Sequence, residues 1–318
     1  MIKFQKTLTG LIALLTLSGC DAIDVNDAEI DNFDSSFDRI PTHILTQMEA
    51  RAEAQRLSFE TSPKAAQGMN FIGHEELTWD RDVVTVAFEG GNPNIYKLIE
   101  QTAHQWTQNG GSLSLSFKDG TGRYNRWNKT DQTKSADIRI SFRSDAYDGG
   151  YWSVIGKLAD GVDADLPTMN YQGFDTVLQS YINSPEGWLE SYERATILHE
   201  FGHALGLAHE HFHPDCQSDM KTNRLVRYFM STGWTRHQSR FNIDADYYLK
   251  TMQDAGEVVS GPLESEKIDR DSVMLYRTYS PKLYKSGVQT PCKPRNALGY
   301  ATFLSAGDRA YYNSQYGD

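Results

Sequence analysis

No apolar stretch of this 318-residue chain is long enough to cross a bilayer as a helix. Leu11 to Leu17, near the N-terminus, falls far short of the roughly 20 residues such a helix needs, and no other stretch is apolar enough. Positive charge is also scarce. The 31 Lys and Arg stand against 42 Asp and Glu, a net charge of −11. That balance argues against a nucleic-acid binder, which needs a basic face to meet phosphates. Cysteine is nearly absent. Of the three, Cys20 closes the N-terminal apolar run, which leaves Cys216 and Cys292. In an exported protein these two form either one disulfide or two separate buried thiols. Internal repeats are missing, including the Gly-Gly-x-Gly-x-Asp repeats that bind calcium. What is present, 39% hydrophobic and 12% aromatic residues, suffices for a packed core. The length allows one large domain or two subdomains, plus whatever the termini add.

Residues 1–20 read as an address rather than as structure. Lys3 and Lys6 precede the short apolar run, as in a secretory signal. The run ends Leu17-Ser18-Gly19-Cys20, which resembles the bacterial lipobox, in which the cysteine is lipidated and becomes the first mature residue. The resemblance implies an exported bacterial lipoprotein, held by Cys20 to a membrane and lying in the periplasm or on the cell surface. Six aspartates and one glutamate then precede Arg39, a composition that suits a solvated tether. In residues 41–60, Thr42 can cap a helix carrying Ile44, Leu45, Met48 and Ala52, as a packed helix or as part of a pro-segment. Residues 21–78 are therefore read as an acidic tether with a candidate pro-segment. A domain is expected over 79–318, with subdomains 79–206 and 207–318.

In that domain Asp82 to Phe88 alternates in apolar character and predicts a strand ending at Gly90-Gly91. Pro93 to Gln108 predicts a helix with Ile95, Leu98, Ile99, Ala103 and Trp106 on one face. Ser112 to Phe117, Ala136 to Phe142 and Thr168 to Tyr171 predict further strands, hence a mixed sheet with a helical crossover. Glu190 to Leu207 is the clearest helix. Ser305 to Asp308 predicts a capping box that opens a last helix running to Tyr316.

The chemistry is concentrated in His199-Glu200-Phe201-Gly202-His203-Ala204-Leu205-Gly206-Leu207-Ala208-His209. A catalytic zinc takes three protein ligands and keeps one position open for water. Residues four apart on a helix return nearly to the same face, so His199 and His203 can reach one ion. Glu200 sits on the flank of that face, placed to accept a proton from water activated by the metal. His209 can be the third ligand only if the chain turns sharply, and Gly206 supplies a residue that accepts the left-handed conformation. Every fixed position of H-E-x-x-H-x-x-G-x-x-H therefore has a reason.

With these residues the chain resembles the metzincin zinc peptidases, and within them the astacin-like enzymes, over roughly residues 79–318. The resemblance implies an α+β fold with a mixed twisted sheet, an active-site helix and a mostly irregular C-terminal subdomain. Ser272-Val273-Met274-Leu275-Tyr276 is similar to the family's methionine turn. It implies that Met274 packs beneath the ligands and that Tyr276 lies near the metal. Leu275 stands where astacins carry histidine. The segment Ala136, Asp137, Ile138, Arg139, Ile140 is similar to the family's edge strand, which pairs with an extended substrate. Glu210 follows the third histidine as in astacins, where the mature N-terminus is thought to bury against that glutamate; here it is equally read as a surface carboxylate or one supporting the site. A cysteine switch of the matrixin kind is excluded, since only Cys20 precedes the domain. Phe71-Ile72-Gly73-His74-Glu75 resembles the astacin pro-segment pattern, so that His74 or Glu75 would cap zinc in a precursor, although a free surface turn is the simpler reading. His211 and His213 are read as a solvated loop rather than as a second metal site, and 211–271 matches nothing familiar.

The expectation is thus a zinc endopeptidase with one catalytic ion on His199, His203 and His209, Glu200 as general base and Tyr276 as oxyanion stabiliser. Its partners would be protein or peptide substrates and a membrane, and it would act as a monomer. The alternative is a zinc hydrolase acting on cell-wall peptide or amide cross-links. A non-catalytic surface module would show a substitution at Glu200, and this chain has none.

Overall fold

The computed structural model describes residue 41 and residues 72–108, 110–144, 149–254, 263–264, 266–277 and 280–317. Cys20, the acidic tether and all of the segment 42–60 lie outside them.

The chain opens with a short strand, β1 (Ile72–Gly73), followed by β2 (Val83–Phe88), whose inward residues Val84, Val86 and Phe88 are fully buried. Helix α1 (Pro93–Ala103) starts where the Asn92 side chain accepts the backbone N–H of Asn94 at 3.0 Å, with Pro93 in the first turn, where no N–H is needed. Strands β3 (Ser114–Ser116), β4 (Ile138–Ser141), β5 (Tyr151–Ser153) and β6 (Met169–Tyr171) follow, then α2 (Phe174–Asn183). The order in the sheet is β3-β2-β4-β6-β5. The first four strands run parallel and β5 runs antiparallel to β6, with Trp152 opposite Asn170.

This order corrects the edge-strand expectation. Ala136, Asp137, Ile138, Arg139 and Ile140 belong to β4 and its lead-in, and β4 lies between β2 and β6. All four residues of β4 are buried, the mark of a strand covered on both faces. Arg139 does not face a substrate. Its guanidinium donates to the carbonyls of Leu166, Ala136, Val162 and Asp163 at 2.9–3.1 Å. Burial holds its pKa down at about 10. Asp137 accepts the Thr85 N–H and the Arg81 guanidinium, each at 2.7 Å. The edge nearer the histidines is β5, whose outer side carries no strand partner among the described residues.

Helix α3 (Tyr192–Ala204) passes beneath this sheet, and every residue from Arg194 to Ala204 is buried. Ser191 caps it by accepting the Arg194 N–H at 3.1 Å. Four side chains take up its carbonyls: Trp106 on Leu198, Tyr171 on Ile197, Trp79 on Ala204 and Tyr316 on Leu205. The last two satisfy acceptors that the helix end would otherwise leave open.

Beyond it come α4 (Pro214–Asp219), α5 (Thr222–Ser231), α6 (Arg236–Ile243), α7 (Ala245–Asp254), β7 (Leu263–Glu264, paired with β1) and α8 (Ala306–Tyr316). The C-terminal part carries these five helices with irregular segments between them, most of all between α7 and α8. Leu225, Val226, Phe229, Trp234 and Ile243 form a second apolar cluster with Tyr276, and Cys216 and Cys292 are joined in it as a disulfide. The capping box of Ser305 and Asp308 opens α8, as the sequence predicts. All described residues fall within one compact unit.

Candidate metal centre

Ala204 ends α3, and the chain turns at Gly206, whose φ is 99°. The Gly206 N–H donates to the His203 carbonyl at 2.8 Å and the Leu207 N–H to the Gly202 carbonyl at 3.1 Å, the paired bonds of a Schellman motif. A side chain at Gly206 would also collide with the Tyr311 hydroxyl, 2.7 Å from where its Cβ would lie. The turn sends the chain back over the helix, and His199, His203 and His209 converge. One ring nitrogen of each lies within 4.8 Å of the other two, and all three residues are buried. The Nε2 atoms of His203 and His209 are 3.1 Å apart.

The tautomers of two rings follow from their partners. His199 Nδ1 lies 2.7 Å from the Val273 carbonyl, and His203 Nδ1 lies 2.8 Å from the Leu207 carbonyl. A carbonyl can only accept, so each Nδ1 carries the proton and each Nε2 keeps its lone pair for a metal. A zinc ion about 2.0–2.1 Å from each nitrogen in tetrahedral geometry puts its ligands about 3.4 Å apart, close to the 3.1 Å between His203 and His209. The three residues therefore fit a divalent ion such as zinc.

Glu200 is fully buried beside this cluster. Burial, with the Glu200 carboxylate nearby, pushes the Tyr171 hydroxyl well above its ordinary pKa. Met274 lies under the helix: a Cβ on Gly202 would come within 2.3 Å of its sulfur. The Tyr276 ring centre is 4.6 Å from that of His209 and 6.0 Å from that of His199. A pocket opens against His199, lined by Tyr192, Thr196, Leu275, Tyr276 and Arg277. Another opens against His203 and His209, lined by Ser153 of β5, Phe241 and Tyr248.

Other expected residues lie elsewhere. His211 and His213 are not solvated; they are 1% and 3% exposed. His211 Nε2 donates to the Asn242 carbonyl at 2.8 Å, and His213 Nδ1 accepts the Asp215 N–H at 3.1 Å, capping α4. Neither joins the metal group. Glu210 is not at the surface either. It is 1% exposed and accepts the Asp269 N–H at 2.6 Å, and burial holds its carboxyl well above the usual carboxylate range. His74 is neither a free turn nor part of the metal group; it is fully buried against Tyr248, while Glu75 is exposed. Sequence reasoning missed Val273 and Leu207. They act through backbone carbonyls, which any residue type supplies, so only the folded turn reveals them.

No family model matches the sequence, and no curated protein does. Among solved structures the chain is similar to myroilysin, at 24% identity and a TM-score of 0.55, over 78% of this chain and 98% of that one. That likeness shows the fold: an α+β domain with the architecture of myroilysin. A second myroilysin structure is matched at 23% identity and a TM-score of 0.47, over 76% and 86%. High choriolytic enzyme 1, a hatching enzyme zinc-protease from the medaka Oryzias latipes, is matched at 13% identity and a TM-score of 0.38, over 80% and 97%.

Proposed function

We propose that the chain is a zinc-dependent endopeptidase of the metzincin, astacin-like kind. One observation carries the reading. Three buried imidazoles converge, two of them held by backbone carbonyls in the tautomer that turns Nε2 inward, with a buried glutamate next to the first. Zinc, when bound, supplies a Lewis acid that brings the pKa of water down to about 7. Glu200 takes the proton of the attacking water and returns it to the leaving amine. The Tyr276 hydroxyl steadies negative charge on the carbonyl oxygen. The outer side of β5 holds an extended substrate by backbone hydrogen bonds, which grip a peptide without fixing its sequence.

The same proposal includes export and anchoring. Cys20 carries a lipid, residues 1–19 are removed, and the domain works at a membrane outside the cytoplasm. The Cys216–Cys292 disulfide supports an oxidising compartment.

The test is digestion of a denatured protein mixture by residues 21–318, with and without a zinc chelator, read by mass spectrometry of new termini. Chelator-sensitive internal cleavage is the expected result. A chain that binds zinc stoichiometrically yet cuts no protein, while releasing fragments from purified cell wall, would replace this reading with the cross-link hydrolase.

A further inference from the structure

The N-terminal carboxylate of α8 does more than cap its helix. A capping box asks one thing of the residue at its third position, that its side chain accept the N–H of the cap residue. Asp308 does this, its Oδ2 accepting the Ser305 N–H at 2.9 Å. It then makes two bonds to a turn more than thirty residues away in sequence. Oδ2 also accepts the Val273 N–H at 3.1 Å, and Oδ1 accepts the Ser272 hydroxyl at 2.6 Å. The Ser272 oxygen in turn accepts the Met274 N–H at 2.9 Å. Asp308, Ser272, Val273 and Met274 are each at most 5% exposed, so water offers these groups little competition.

The other side of Val273 faces the centre, where its carbonyl accepts the Nδ1 proton of His199. A single residue thus stands between a buried carboxylate and a metal ligand, held at its N–H by one and holding the other at its carbonyl. The bonds also close a circuit. The Glu210 N–H donates to the Met274 carbonyl at 3.0 Å, the Asp269 N–H donates to Glu210, and the Ser305 hydroxyl donates to Asp269 at 2.7 Å. The circuit returns to Asp308, whose N–H donates to the Ser305 hydroxyl at 2.9 Å.

We infer that Asp308 is a positioning residue for His199: it fixes Val273 so that the imidazole presents Nε2 to the metal. This rests on the zinc reading above. Partners that orient a ligand imidazole commonly govern metal affinity as well as activity.

Ser305 provides the control. Ser305→Ala removes the helix cap while leaving the Val273–Asp308 bond in place. Asp308→Asn keeps the size of the side chain but loses an acceptor, and Asp308→Ala removes the clamp. The purified chain and each variant are measured for zinc affinity by chelator competition, for the absorption spectrum with cobalt(II) in place of zinc, and for the urea stability of the metal-free form. Both Asp308 variants should bind zinc more weakly by on the order of tenfold, with an altered cobalt spectrum and a fall in kcat more than a rise in KM. Ser305→Ala should lose comparable stability with the cobalt spectrum unchanged and zinc affinity within about twofold of wild type. Equal losses of zinc affinity in Ser305→Ala and Asp308→Asn, tracking stability alone, would overturn the inference. So would wild-type affinity in Asp308→Asn, which decides the matter if Asp308→Ala does not fold. A wild-type chain that binds no metal overturns the zinc reading together with this one.

Discussion

Glu200 and Gly202 occupy the interior of a helix that is buried on every side, and each is there for a reason that helix formation does not supply. Glu200 is a carboxylate in a place where a charge is costly, so its retention points to chemistry. Glu200→Gln should keep stoichiometric zinc and lose turnover by at least about 10²-fold, the usual contribution of a positioned general base. Full activity in that variant, measured on a quenched peptide, would remove Glu200 from the mechanism. Gly202 is the opposite case, an absent side chain. Alanine is the better helix former by about 1 kcal/mol, yet its Cβ would lie 2.3 Å from the Met274 sulfur and 3.0 Å from the Trp106 ring. Overpacking of that kind typically costs about 1–3 kcal/mol, so Gly202→Ala should lower the thermal midpoint despite its propensity. An unchanged or raised midpoint would show that Met274 moves aside freely. The motif made His199, Glu200, His203, Gly206 and His209 legible, because each does its work through a particular side chain or a particular φ. The motif could not reveal that Val273 and Leu207 hold the imidazoles, since a carbonyl has no signature in the residue type.

Among the elements, the strands were legible as strands and misleading as positions. Alternating apolar character marks Ala136 to Phe142 as β, but a central and an edge strand share that pattern, and nothing in it announces that Arg139 is buried. Its guanidinium is consumed by four carbonyls that no local pattern connects to it. Of the helices after residue 213 only the last was read from the sequence, although the others carry signals of their own. Thr235 and Gln238 spell a capping box, and Leu225, Val226 and Phe229 share one helical face. Their packing against Tyr284 and Cys292 from the C-terminal segment is what turns them into a core. The disulfide closes that unit over a separation of 76 residues. A loop of that length is worth about 4 kcal/mol of chain entropy in the usual account. The paired variant Cys216→Ser with Cys292→Ser should therefore lose several kcal/mol in urea unfolding, and dithiothreitol should have the same effect on wild type. If neither the variant nor reduction moves the midpoint, the helical unit is stable without its staple.

Taken as a whole, the molecule is threaded by a segment that the sequence reading assigned to the end of the tether. Gly73 bridges to Leu207 between the second and third histidines, and the His74 N–H reaches the Gly206 carbonyl at 3.4 Å. Leu77 is fully buried, and the Trp79 indole donates to Ala204 at 2.7 Å. Residues 72–79 thus lie against the turn that delivers His209, with His74 at their centre. Burial lowers the His74 pKa from 6.5 to about 4 against the opposing charge of Glu76, and neither ring nitrogen has a hydrogen-bond partner among the described residues. The unfolded chain therefore takes up a proton near pH 6.5, while the folded chain resists until about pH 4. The unfolded state binds more protons throughout that interval, so folding stability rises with pH across it and is lost as the pH falls. Between pH 7.5 and pH 5 the loss from this one group should be roughly 2 kcal/mol. To separate it from metal release, wild type and His74→Leu are unfolded in urea with chelator present at both pH values. The leucine variant carries no proton to take up, so wild type should lose more stability than the variant between the two conditions, by about that amount. Parallel losses in the two proteins would mean that His74 is hydrated or paired in solution, and that the thread around the histidine turn is looser than its packing indicates.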